Sequence, residues 1–108
     1  MSQRDELLSR RAALRGAFGD ALYDELLTIL FRHDPAGINF DWNTDEYEPE
    51  VDTILPRLHR CADAEDARCM IFAELTHWFA GDFDERKATA ATEAIWAAWR
   101  RLTTAPRE

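Results

Sequence analysis

Apolar side chains recur at three- and four-residue intervals along most of this chain, and the runs are separated by residues that end helices. That pattern constrains the fold more than any other feature, because a half-buried strand needs strict alternation instead. The first run carries Leu7, Leu8, Ala12 and Leu14 behind Ser2-x-x-Asp5, which resembles a capping box with a short third member. Gly16 and Gly19-Asp20 weaken it, and Asp20 can cap a fresh start. Leu22, Leu26, Ile29 and Leu30 follow on one face, so the segment reads as one bent helix or as two. His33-Asp34-Pro35 ends it, since the residue before a proline is driven out of the α region.

Residues 35–48 read as an ordered loop with a flexible turn at Gly37. Ile38, Phe40 and Trp42 alternate with Asn39 and Asp41, which suggests a short extended piece, and Asn43, Thr44 and Asp45 favour a turn. Glu48-Pro49-Glu50 suits the first turn of a helix that carries Val51, Ile54, Leu55 and Leu58 on one face. Pro56 predicts a kink or restart there, and Ala62-Asp63-Ala64 allows a break. A further helix over about 64–80 is apolar almost all round from 69 to 73, the mark of a central, buried element, with Gly81 as its C-terminal cap. The last helix opens at Asp84-Glu85 and closes at Arg100-Arg101, with Ala88, Ala91, Ile95, Ala98 and Leu102 as its seam. Residues 104–108 should fray. The expectation is an all-α fold: one domain over 1–108, a compact bundle of four to five helices with one ordered acidic loop at about 34–48.

With 108 residues, there is room for one core and no room for a large barrel or a doubly wound nucleotide-binding fold. No stretch has signal-peptide character or the length to span a membrane, so the expected setting is the cytoplasm. Cys61 and Cys69, the only cysteines, fit reduced thiols. Eight residues apart, they would lie two turns from each other and too far to bridge if one helix ran through both.

The formal charge of −8 is unevenly spread. Residues 1–32 balance five basic against five acidic side chains, and residues 57–108 carry eight basic and nine acidic. Residues 33–56 hold Asp34, Asp41, Asp45, Glu46, Glu48, Glu50 and Asp52 with no Lys or Arg. Nucleic acid is excluded as a partner by this balance, because phosphate binding needs clustered cations. Arg10, Arg11 and Arg15 share their helix with Asp5, Glu6 and Asp20, and read as a solvated face.

No chemistry-bearing motif stands out. The run from Asp41 to Asp52 tracks an EF-hand loop superficially, but Glu46 takes the place of the required glycine, and Asp52 is too short for the last ligand. A looser divalent-ion site, metal-dependent enzyme or metal-sensing module built from Asp34, Asp41, Asp45 and Glu48 is the alternative reading. His33, His59 and His77 form no metal-ligand pair, and His59 with Cys61 and Cys69 would point to different helix faces. Nucleophile and phosphate-loop signatures are missing, so neither a catalytic set nor a cofactor is expected.

What the acidic stretch offers is a protein interface. Trp42 and Tyr47 stand among acids, an anchor composition common in hot spots, and a negative patch steers a basic partner. The expected partner-binding residues are therefore Asp34, Asp41, Trp42, Asp45, Glu46, Tyr47, Glu48 and Glu50, on a monomer or weak homodimer.

Asp34-Pro35-Ala36-Gly37-Ile38, followed by Asp45-Glu46-Tyr47-Glu48-Pro49-Glu50 and then Ile54-Leu55 and Leu58, resembles a D-P-x-G-[IV]…D-E-Y-x-x-E pattern. That pattern is similar to one in a family of small helical bacterial proteins catalogued as a domain of unknown function. The likeness spans about residues 22–80, and its specific part is 34–50. Ala36, in place of a larger aliphatic residue, and the internal Pro56 depart from it. The resemblance implies a helical fold, a functional surface from Asp34 to Glu50, and a role at toxin–immunity loci as a neutralising protein. It brings no catalytic residues.

Overall fold

A computed structural model of the chain describes residues 3–37 and 47–103. The protein is an all-α bundle whose helices are α1 (Gln3–Phe18), α2 (Asp20–His33), α3 (Glu48–Leu58), α4 (Ala64–Phe79) and α5 (Glu85–Thr103). Among the described residues there is no strand, and no helix is long and apolar enough to cross a membrane. The alternating piece expected at 38–42, the turn at 43–45 and the fraying tail lie outside the described residues.

The first run resolves into two helices joined by a single residue. Gly19 adopts φ 94°, a conformation that side-chain-bearing residues resist, and stands as the N-cap of α2. Asp20 provides no cap; its carboxylate instead accepts a bond from Arg15 at 3.1 Å. Pro56 does not restart its helix. It falls in the last turn of α3, where the lost N–H costs one bond and the helix stops two residues later at Leu58. Asp63 caps α4 by accepting the Asp66 N–H at 2.9 Å, and Asp84 caps α5 by accepting the Lys87 N–H at 3.0 Å.

One hydrophobic cluster draws on α2, α3, α4, α5 and Tyr47. α2 supplies six buried residues, from Leu22 to Leu30, and its broadest contact is with the alanine seam of α5. Ala88, Ala91, Ile95 and Ala98 are all buried, so small side chains let those two helices approach closely. α4 is less central than its composition suggests. Ala67, Met70, Ile71 and Leu75 face the core, but Cys69 and Ala73 are exposed and Phe72 is half-buried, because among the described residues no further helix covers that side. α1 has no fully buried residue at all; it leans on the bundle through half-buried Leu14 and Phe18, the latter 6.0 Å from the Trp99 ring.

The end of α4 departs from the expected glycine cap by one position. Ala80, not Gly81, is the C-cap, with φ 54°, and Gly81 follows at φ 82°. A left-handed alanine is held against its intrinsic preference. Ala80→Gly should raise unfolding free energy by about 0.5–1 kcal/mol, read by urea denaturation.

Candidate functional site

The stretch singled out by charge begins where α2 ends. Asp34 is the C-cap of α2 in the left-handed region, its N–H bonded to Leu30 O at 2.8 Å, and the chain turns tightly until Gly37. The far end of the stretch returns to the same place. The Tyr47 hydroxyl donates to Asp34 Oδ1 at 2.8 Å and accepts the Ala36 N–H at 3.0 Å. Its ring is wholly buried and stands edge-on to Phe79 at 6.4 Å. Tyr47 thus clasps the two roots of segment 38–46 together. The α4–α5 turn joins this end of the bundle, since Asp84 N–H donates to Pro35 O at 2.8 Å.

Four of the acids in the stretch are described, and none is a simple surface charge. Asp34 is spent on Tyr47. Asp52 and Glu48 face Arg11 of α1, which donates from Nη2 and Nε to Asp52 at 2.6 and 2.9 Å and from Nη1 to Glu48 at 2.9 Å. Tyr23 of α2 donates its hydroxyl to the other Asp52 oxygen at 2.5 Å. Asp52 and Arg11 keep only 6% and 13% of their side-chain exposure. Glu50 is 4% exposed. Tyr47 and Glu50, expected at a partner surface, are therefore interior residues: Tyr47 fills the gap between α2 and α4, and Glu50 turns inward in the first turn of α3. Asp41, Trp42, Asp45 and Glu46 lie outside the described residues.

Arg11 was expected on a solvated face and is instead the docking residue of α1. The missed signal is its place with Leu14 and Phe18 at the helical spacing of an inward face, all three half-buried. Its bonds to Asp52 raise its pKa further above the ordinary arginine value, against the opposing effect of burial. Arg15 behaves more locally, bonding Asp20 and Asp24 and lying over the Tyr23 ring at 4.2 Å.

Sequence reasoning also missed Asp82 and Asp84, exposed acids that the α4–α5 turn brings beside Pro35. No local pattern links positions nearly fifty residues apart. The bonds that Asp84 accepts from backbone N–H groups at the start of α5 hold its carboxyl below the usual range, with Arg86 and Lys87 adding to the effect. Arg32 and His33 stand in the last turn of α2 at this same end.

Among the described residues no three His, Cys, Asp or Glu side chains form a group able to hold a metal ion. Of the carboxylates weighed for a divalent ion, Asp34 accepts the Tyr47 hydroxyl and Glu48 accepts a guanidinium bond. His59 Nδ1 is 2.7 Å from Pro56 O, and His77 stands edge-on to Trp78, whose Nε1 donates to Thr53 at 3.0 Å. No family model, curated protein or solved structure matches the chain.

Two outcomes follow from this geometry. Arg11→Ala leaves Asp52 buried without its counter-charge and should cost about 2–4 kcal/mol in urea denaturation, against less than about 0.5 kcal/mol for Arg10→Ala on the exposed face. The second concerns alkaline pH. Burial first, with the neighbouring carboxylates Asp52 and Asp34 assisting, pushes Tyr23 and Tyr47 well above the ordinary tyrosine pKa. The folded protein keeps two protons that the unfolded chain gives up, so stability should fall as pH rises past about 10, by up to about 1.4 kcal/mol per pH unit for each tyrosine. Tyrosinate absorbance should appear together with the loss of helical signal, and Tyr47→Phe should halve the slope. Tyrosinate forming in a protein that is still fully helical would contradict this.

Proposed function

We propose that this is a small cytoplasmic binding protein that takes a basic protein surface on the segment 38–46, in the manner of a toxin-neutralising immunity protein. The observation that carries the reading is the division of labour among the acids. Asp34, Glu48, Glu50 and Asp52 turn inward, which leaves Asp41, Asp45 and Glu46, interleaved with Phe40 and Trp42 and free of any Lys or Arg, as the acids between two clasped roots. Anchoring both ends of a binding segment lowers the entropy lost on association.

Asp82 and Asp84 extend the negative character of this end, and Arg32, Arg86 and Lys87 only partly offset it. A basic partner is steered by such a field and gains on-rate from it. Likeness to the small helical family with its D-P-x-G-I…D-E-Y-x-x-E signature supports neutralisation of a toxin domain as the setting. The reading needs no catalytic group and no cofactor; the protein works as a monomer or weak homodimer and takes neither nucleic acid nor membrane.

The test is the double charge reversal Asp45→Lys with Glu46→Lys. Immobilised wild-type protein should retain a basic cellular protein at low ionic strength and release it in salt. The double variant should associate at least about tenfold more slowly, with a flatter salt dependence. If the variant binds the same partner at the wild-type rate, segment 38–46 is not the contact surface.

A further inference from the structure

The two cysteines would stand apart on one continuous helix, but the helix is interrupted between them. α3 ends at Leu58 and α4 starts at Ala64. Cys61 N–H donates to Leu58 O at 3.0 Å, and its sulfur lies 3.6 Å from Arg57 O. The Ala62 N–H donates to Asp66 Oδ2 at 3.0 Å while the Asp66 N–H donates to Asp63 at 2.9 Å. This reciprocal cap holds the backbone beside Cys61 against Asp66. Cys69 stands three residues after Asp66 on the same face of α4, and such neighbours have Cβ atoms about 5–6 Å apart. The Cys69 thiol donates to Glu65 Oε2 at 3.8 Å. Both thiols line one cavity of about 360 Å³ with Arg57 and Arg60. Neither belongs to the fully buried core: Cys69 is exposed and Cys61 is half-buried.

We propose that Cys61 and Cys69 form a reversible thiol–disulfide exchange site that is oxidised by a small anionic disulfide of the glutathione class. Cys69, the exposed thiol, reacts first. Its thiolate attacks one sulfur of the small disulfide, that S–S bond breaks, and the departing thiolate takes up the proton that Cys69 released. Cys61 then attacks the Cys69 sulfur of the mixed disulfide, and the second small thiolate leaves with the Cys61 proton. Two protein thiols are oxidised and one small disulfide is reduced to two thiols.

The order of events follows from the surroundings. Burial first, and then Asp66, push the Cys61 thiol up, which suits it to resolve a mixed disulfide held beside it more than to attack from solution. The lining sets Arg57, paired with Glu74, and Arg60 against the single carboxylate Asp66, so Arg60 is the group that would meet a carboxylate-bearing disulfide. Residues 59–63 belong to neither helix, so Cys61 can close on Cys69 without bending α3 or α4.

The test incubates the full chain in graded mixtures of oxidised and reduced glutathione, traps free thiols by alkylation and reads intact mass. The expected product is a monomer that has lost two hydrogens, carries no adduct and returns to the dithiol with dithiothreitol. Cys61→Ser should accumulate a stable glutathione adduct at Cys69. In Cys69→Ser, the remaining Cys61 should react at least about tenfold more slowly. Wild-type protein that ends with two glutathione adducts or as a disulfide-linked dimer would overturn the pairing, and equal rates in the two variants would overturn the order.

Discussion

Arg11 in its cage of Asp52, Glu48 and Tyr23 is the interaction on which the arrangement of the first three helices depends. α1 has no fully buried side chain, so apolar contact alone gives it little reason to stay. Its guanidinium replaces that missing driving force with three directed bonds to α3, while Tyr23 of α2 holds the remaining Asp52 oxygen. A buried charge is tolerable only when its partners are complete. The cage therefore fixes the azimuth of α1 as well as its distance. A loose apolar contact would allow it to roll, whereas a forked guanidinium facing a carboxylate accepts a narrow range of orientations.

The same network changes how the acidic stretch should be understood. Read along the chain, seven carboxylates without a cation look like a single anionic surface. In three dimensions the four that are described separate by the element that carries them. Glu48 and Asp52 are four residues apart on α3 and so point the same way, toward α1. Asp34 and Tyr47 form the clasp at the other side. Such pairings rest on contacts 13 to 41 residues apart, which no local pattern can reveal.

Where the chain dictates its own local structure, the sequence was legible. Helical periodicity and the breakers at Pro35 and Asp63 place the helical segments, with one bent helix or two left open at Gly19, and the α5 seam is buried from Ala88 to Ala98 while Leu102 at its end is exposed. Legibility failed where burial depends on what lies opposite. The apolar run from Cys69 to Ala73 looked central, yet part of it faces solvent, since no further helix among the described residues covers it. Arg11 looked solvated, since charge is normally a surface signal, and its apolar-stripe register was outweighed by its type. Tyr47 looked like an exposed anchor among acids, but its hydroxyl needed two partners that only the folded turn at 34–36 provides. Asp41, Trp42, Asp45 and Glu46 remain legible only as a composition.

Gly19 has one more consequence. With a single residue between α1 and α2, α1 has almost no slack, and an α1 that lets go can only pivot about that point. Arg11 then stays close to the carboxylates it left, at an effective concentration on the order of millimolar. An arginine or lysine arriving from another molecule would have to outcompete this tethered incumbent. The brevity of the connector thus protects the α3 carboxylates from opportunistic cations.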